Sequence, residues 1–445
     1  MSEIIVAGGG NGGIVAAVKL ARAGHHVTLF EAKENGHVGL AQTDAFDGDT
    51  FRYADIEPSP DFKRGSNVIT FFPEDRNLQP LTIPALDEPS FIVDRRDLAK
   101  YMFSLAEEAG VEIRYSTTVK APIILGNRVA GIVTDKGDFY GDMIIDACGV
   151  FSPLRSKLPD KFLINREIGK YDIVHAYRAY YSKNKNAPEP DTSYNLYLRN
   201  DGTTGFSWLI TEEDRTDTLI CRFYRPEEKE ISHIIREMQA ENPQMGTELI
   251  DDDIRAIIPV CQPLGVLVCD GYAAVGDSAF MTIPVKGSGI TYSFKAGTIL
   301  ADCIINDENG FYDTEALWEY QNKFFKEIGF GACHLAIIKN ILPYLTASQV
   351  NDIFSLGLVT TEEIATVMSD KAGAFFNKSG ILSVKNKIKL VSDNDTIKDI
   401  LSNLLMWIGK FIVIEASYPT KYDRKSAKKW NEKYNDFFNS IKKPD

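Results

Sequence analysis

Little in this chain points to metal or disulfide chemistry. Its six cysteines (Cys148, Cys221, Cys261, Cys269, Cys303 and Cys333) are scattered over 445 residues with no C-x-x-C pair. That excludes the usual zinc spacing and, at this length, a disulfide framework; reduced thiols in a reducing, cytoplasmic compartment are expected. The six histidines show no metal spacing, and His175 and His334 read as packed polar residues. Positive charge is short: 49 Lys and Arg against 62 Asp and Glu leave a net charge of −13, which argues against nucleic acid as a partner. No long uncharged apolar run is present. The most hydrophobic late segment, ILSNLLMWIGKFIVIEASYP (400–419), carries Asn403, Lys410 and Glu415 and is too polar for a membrane span. The opening run IIVAGGG follows Glu3 directly and is broken by glycines, so it reads as a buried strand and not as a secretory signal. Repeats and low-complexity linkers are absent too. What is present, 44% hydrophobic and 25% charged residues, suits a globular protein of two to three domains.

The N-terminus carries a nucleotide signature. EIIVA (3–7) is a short continuous apolar run, as a strand buried on both faces should be. Gly8, Gly10 and Gly13 then give G-x-G-x-x-G, with Asn11 and Gly12 inside the motif, and GIVAAVKLARAG follows with helical spacing. HVTLFEA (26–32) is the next strand, ending at Glu31 and Ala32. In this pattern Gly8 permits the tight turn, Gly10 lets the backbone approach a pyrophosphate, and Gly13 lets helix and strand pack closely. The helix N-terminus offers free N–H groups to phosphate, and Glu31 stands where an acid accepts hydrogen bonds from ribose hydroxyls. An acid at position 31 disfavours NADP, but FAD and NAD both stay open on this motif, as does a bare glycine-rich turn.

A second stretch, AAVGDSAFMTIPVKGSGITYSFKAG (273–297), narrows the choice. A small apolar strand ends at Gly276–Asp277; Pro284 follows, then Gly287, Ser288, Gly289 and Ile290. This resembles the flavoprotein class that includes p-hydroxybenzoate hydroxylase and the geranylgeranyl reductases. The resemblance implies FAD, with Asp277 on the ribityl chain and the glycine-rich helix start near Gly287 at the pyrimidine edge of the flavin. A helix N-terminus there would stabilise negative charge on the reduced ring. Two more segments carry the likeness. DRRDLAKYMFSLAEEAGVEIRYSTTV (94–119) matches a strand-to-helix element whose Arg95 takes the flavin-contact position and whose Val119 touches adenine. MIIDACGVFSPLRSKL (143–158) matches Asp-Ala-x-Gly-x-x-Ser-x-x-Arg through Asp146, Ala147, Gly149, Ser152 and Arg155, and shapes the pyrophosphate side.

Within that class the chain looks most like the geranylgeranyl reductase branch. GFSWLIT (205–211) lies at the branch's aromatic-x-Trp-x-Phe-Pro box; Phe206 and Trp208 are kept, while the Phe-Pro ending is replaced. Trp208 either lines a substrate cavity or is a core aromatic. Lys286 either sits beside the isoalloxazine ring, favouring anionic reduced flavin and an acidic substrate, or points to solvent. Cys261 and Cys148 are further candidates near the flavin, or else small buried thiols. The resemblance implies a reductase of an apolar or lipid-like unsaturated substrate, acting through flavin N5. The alternatives are an aromatic-ring monooxygenase and a flavoprotein of a non-redox step. No second G-x-G-x-x-G follows a strand, so the electron donor is expected to be NAD(P)H docking transiently, or a redox protein.

The expected architecture is α/β. A Rossmann-like FAD-binding domain (1–170 and 262–330) carries an inserted antiparallel-sheet substrate domain (171–261) and is followed by a helical C-terminal region (331–445). In that region TEEIATVMS (361–369) is a helix with Thr361 as its N-cap. The tail 421–445 holds eight Lys or Arg against four Asp or Glu, with Trp430, Tyr434, Phe437 and Phe438. It is expected either to touch a membrane surface peripherally or to dock as a helix on the FAD-binding domain.

Overall fold

The computed structural model describes residues 1–85, 89–199, 203–368, 378–391 and 394–441. Its centre is a six-stranded sheet ordered Val268–Cys269, Tyr272–Ala274, Met143–Asp146, Glu3–Ala7, His26–Phe30 and Glu112–Arg114. The inner pairs are all parallel, and only the Val268–Cys269 edge runs antiparallel. Continuous apolar strands such as MIID, buried at every position, are what a sheet covered on both faces requires. Helix Asn11–Arg22 packs against helix Ile290–Ile305, and the three-stranded meander 119–140 lies beside the sheet.

The second layer is an eight-stranded sheet, larger than the antiparallel sheet expected of residues 171–261. Its path runs Met245–Leu249, Ile173–Lys183, Arg215–Arg222, Gly205–Thr211, Tyr194–Leu198, Ile69–Phe72 and Leu81–Ile83, with Ile254–Pro259 pairing to Ile173–Lys183. Two strands thus come from the segment before residue 170, and Tyr194–Leu198 pairs in parallel with Ile69–Phe72, so the sheet is mixed. Strands with side chains alternating between its faces give one side to helix Glu228–Glu241 and the other to a cavity.

The C-terminal region is helical. Thr314–Phe324 passes through a π-turn at Phe325–Gly329 into Phe330–Ile341, followed by Ala347–Ser355, Thr361–Met368, Lys378–Leu390, Asp395–Ala416 and Arg424–Ser440. The cap of the helix at 361 is Thr360, not Thr361. Thr360 Oγ1 accepts from Glu363 N and Glu363 Oε2 accepts from Thr360 N, a reciprocal box that needs the residue one position earlier. The tail helix buries Trp430, Tyr434, Phe437 and Phe438 in the main core. Its aromatics are therefore docked and do not face a membrane. Among the described residues, no single helix is long and apolar enough to cross a membrane.

Candidate active site

Between the two sheets lies a cavity of about 760 Å³. Sixteen residues singled out above line it: Gly10, Asn11, Gly12, Arg95, Ala147, Gly149, Phe206, Trp208, Gly276, Asp277, Pro284, Lys286, Gly287, Ser288, Gly289 and Ile290. Two helix N-termini open into it. Helix Asn11–Arg22 has Gly10 as N-cap and helix Ile290–Ile305 has Gly289, and neither has a side-chain cap or an acid in its first turn. Their first N–H groups are left for an anionic or polar ligand. The second helix begins at Ile290 and not near Gly287, because Gly287 sits at φ +68°, in the left-handed region, and ends the preceding turn.

The remaining glycine-motif residues stand behind the cavity. Gly8 (φ +91°) and Gly13 face the chain at Ala147, where a Cβ would lie 2.6 Å from its carbonyl oxygen and 2.5 Å from its Cβ, respectively. Glu31 and Ala32 stand at the end of strand His26–Phe30, where Glu31 accepts backbone hydrogen bonds from Gly9 and Lys33 at 2.9 Å each. Val119 opens the meander and is buried. Cys261 does not reach the cavity. It is fully buried beside Arg166 and Asp172, and its thiol is pushed up by burial. Cys148 donates to the Ala7 carbonyl at 3.2 Å, and its thiol is also raised, again by burial first. Both thiols are held protonated.

Asp277 is the clearest ligand-seeking group. Its carboxylate makes no hydrogen bond to the described residues, and burial raises its pKa against the opposing pull of Arg95. A half-buried carboxylate that lines the cavity and has no donor among the described residues calls for hydroxyls from a ligand. The Asp146 motif works differently, as a fastener. Asp146 is fully buried and accepts from Ser152 Oγ, from Tyr272 Oη at 2.7 Å and from Cys148 N at 3.0 Å. Arg155 donates to the carbonyls of Val150 and Ser278, and its guanidinium lies 4.4 Å from the Phe280 ring, with Arg166 at 4.8 Å. These contacts clamp the Gly276–Ala279 turn, and Asp277 with it, against the loop bearing Gly149.

A cluster the sequence did not disclose ties the eight-stranded sheet to strand Thr43–Phe46, part of a separate three-stranded sheet, at the cavity wall. Arg95 donates to Asp44, Arg178 Nη1 donates to Asp44 at 3.1 Å, and Arg178 Nε donates to Asp217 at 2.9 Å. Arg178 and Asp217 are buried. Beside them Trp208 meets Tyr194 edge-on at 5.7 Å, and the Arg178 guanidinium lies 5.6 Å from the Trp208 ring. Away from this charged end the wall is apolar, with Leu196, Leu198, Phe206, Leu219 and Phe223. Lys286 lines the cavity, and its Nζ donates at 2.9 Å to the Met368 carbonyl that ends helix Thr361–Met368. Buried Lys339, which no motif marked, donates to the Tyr171 carbonyl at 2.6 Å and also lines the cavity.

Two uncapped helix ends, a donorless carboxylate and a glycine-lined cleft between them fit a dinucleotide such as FAD. Residues 3–150 match the family model for FAD-dependent oxidoreductases. A digeranylgeranylglycerophospholipid reductase of Sulfolobus acidocaldarius is 22% identical over 430 residues, covering 90% of this chain and 93% of the relative. Its namesake from Methanosphaerula palustris is 26% identical over 326 residues, covering 68% and 76%. Among solved structures, a geranylgeranyl bacteriochlorophyll reductase-like protein of Thermoplasma acidophilum superposes with a TM-score of 0.72 at 19% identity, covering 87% of this chain and 99% of that one. A flavin-dependent brominase does so at 0.63 and 18%, covering 88% and 100%. The chain is an FAD-dependent oxidoreductase. Its fold is that of the geranylgeranyl reductase-like flavoproteins, and its likeness over most of its length runs to the geranylgeranyl reductase branch.

Proposed function

We propose that this oxidoreductase reduces carbon–carbon double bonds of an apolar, isoprenoid-like lipid. The observation that carries the reading is the continuity of one cavity from the two helix N-termini to the apolar wall of the eight-stranded sheet. The names of its relatives support the same substrate class. Bound FAD supplies a two-electron carrier whose reduced form delivers hydride.

The chain's own residues hold and orient it. The Gly10–Gly13 helix start takes the pyrophosphate, Glu31 and Ala32 the adenosine ribose, and Val119 the adenine. Gly149 and Arg95 flank the cofactor, Gly276 and Asp277 take the ribityl hydroxyls, and Pro284 with the Gly287–Ile290 turn faces the pyrimidine edge. Trp208 and Tyr194 form the substrate-side wall, and the apolar side chains around them keep water from the reacting carbons. Electrons come from a transiently docked NAD(P)H or from a redox protein.

The test is anaerobic. FAD-loaded protein reduced with dithionite, or with NADH or NADPH, should be reoxidised by a geranylgeranyl lipid, and the product should gain two hydrogens per double bond by mass spectrometry. Failure of every unsaturated lipid, together with oxygen uptake stimulated by an aromatic compound, would replace the reading with ring hydroxylation.

A further inference from the structure

Helix Lys378–Leu390 is chemically out of keeping with the rest of the chain. Its thirteen residues, KSGILSVKNKIKL, include four lysines and no acid, in a protein of net charge −13. Its outer face is mixed. Leu382 is 57% exposed and Leu390 79%, and Lys385, Asn386 and Lys389 are exposed among them. Positions 382, 385, 386, 389 and 390 share one side of a 3.6-residue helix. Lys385 and Lys389 make no ion pair among the described residues. The inner side is anchored: Val384 is buried, and Ser383 and Lys387 both hold Glu363 on helix Thr361–Met368.

Scattered exposed leucines are ordinary. Two on one helical face, framed by lysines that make no ion pair among the described residues, form the pattern of a helix lying in a membrane interface. There the leucines enter the acyl boundary while the lysine stems reach out to anionic headgroups. Charge decides the occupant. Cationic side chains complement an anionic lipid surface, and two leucines offer far less area than the roughly 1,200 Å² a stable protein pair buries. The face also lies close to the cavity. Glu363 ties it to helix Thr361–Met368, whose last residue lines the cavity and accepts from Lys286.

We propose that helix Lys378–Leu390 docks the protein onto the surface of an anionic bilayer. The docking holds whether or not the substrate is a lipid. The test uses full-length, FAD-loaded protein and co-sedimentation with vesicles of phosphatidylcholine alone or mixed with phosphatidylglycerol. Binding is expected to the mixed vesicles, weakening with added salt, and not to phosphatidylcholine alone. K385E/K389E should weaken it by about tenfold or more. L382S/L390S should also weaken it, with the flavin spectrum of both variants unchanged. Binding to neither vesicle, equal binding to both, or variants that sediment like the parent would overturn the proposal. So would a vesicle-free dimer that L382S/L390S abolishes, which would assign the face to a second copy of the chain.

Discussion

The backbone of Gly297 lies against that of Gly12, so closely that a Cβ on Gly297 would fall 2.3 Å from the Gly12 carbonyl oxygen. One glycine is in the first turn of the N-terminal helix; the other is in the second turn of helix Ile290–Ile305. Their contact brings two uncapped helix N-termini to one cavity although the residues are far apart in the chain. Packing of two small residues, with no side chain between the backbones, sets the spacing of the two ends of the candidate FAD site.

Gly297→Ala should therefore act on stability and cofactor together. The added methyl must push the helices apart, an overpacking cost of about 1–3 kcal/mol. FAD affinity should fall about tenfold or more, since about 1.4 kcal/mol is a factor of ten. Fluorescence titration of apoprotein with FAD, alongside thermal melts, measures both. Gly409→Ala is the control: it is helical with nothing within 4 Å of an added Cβ, and it should stabilise by up to about 1 kcal/mol without touching FAD.

Arg178 pairs with Asp217 on the neighbouring strand of the eight-stranded sheet and reaches Asp44 on strand Thr43–Phe46. Arg178→Met should leave buried Asp217 without its cation, Asp44 keeping Arg95, and destabilise the protein by about 3–5 kcal/mol. Adding Asp217→Asn should recover part of that loss, because the stranded charge is then gone. Denaturant melts of the two single variants and the double variant close the cycle. Simple additivity would show that the pair is not coupled.

The parts of this site that were legible in the sequence are those whose chemistry is local. Strand, glycine turn, helix start and acid follow one another within residues 3–31, and Gly276–Asp277 to Ile290 repeats that logic. The contacts that assemble the halves are not local. Gly297 looks like any small helical residue until Gly12 is placed beneath it. Arg178 and Asp217 each appear as one of several charges on their strands, and only the pairing of Tyr180 with Asp217 and Arg178 with Leu219 sets them diagonally together. For Cys261 two readings stood open in the sequence; the fold makes it a small buried thiol, turned toward Arg166. Strands Ile69–Phe72 and Leu81–Ile83 carry no signal of the sheet they join.

His334 makes the protein acid-sensitive. It is buried on helix Phe330–Ile341, edge-on to Phe411 at 5.1 Å, and burial lowers its pKa from 6.5 to about 4. Glu415, 3.6 Å away, is itself raised by burial, so the contact is not a working ion pair. The unfolded chain takes up a proton near pH 6.5 that the folded chain refuses until about pH 4. Stability therefore falls as pH drops through that window, by about 2 kcal/mol between pH 7.5 and 5 from this group alone. His334→Met should lose that share of the decline. Equal pH dependence in melts of the two proteins would show that His334 titrates freely.

Asp277 carries the sharpest test because one substitution should move two properties in opposite directions. In the ligand-free protein its carboxyl is raised by burial, so the folded state favours the proton. Its contribution to stability is present at low pH and is lost as pH rises through the raised pKa, above the ordinary carboxylate value of about 4. Asp277→Asn removes the charge. The apoprotein of the variant should melt higher than the parent's at pH 8, with the gap closing toward pH 4. FAD should bind more weakly, because ribityl hydroxyls lose a charged acceptor worth about 1.5–3 kcal/mol, or about ten- to a hundredfold in affinity. A residue that merely packed the loop would lose stability and affinity together. Higher apoprotein stability with weaker FAD binding is what a carboxylate kept for a ligand's hydroxyls produces, since the fold bears the cost of that charge only while the ligand is away.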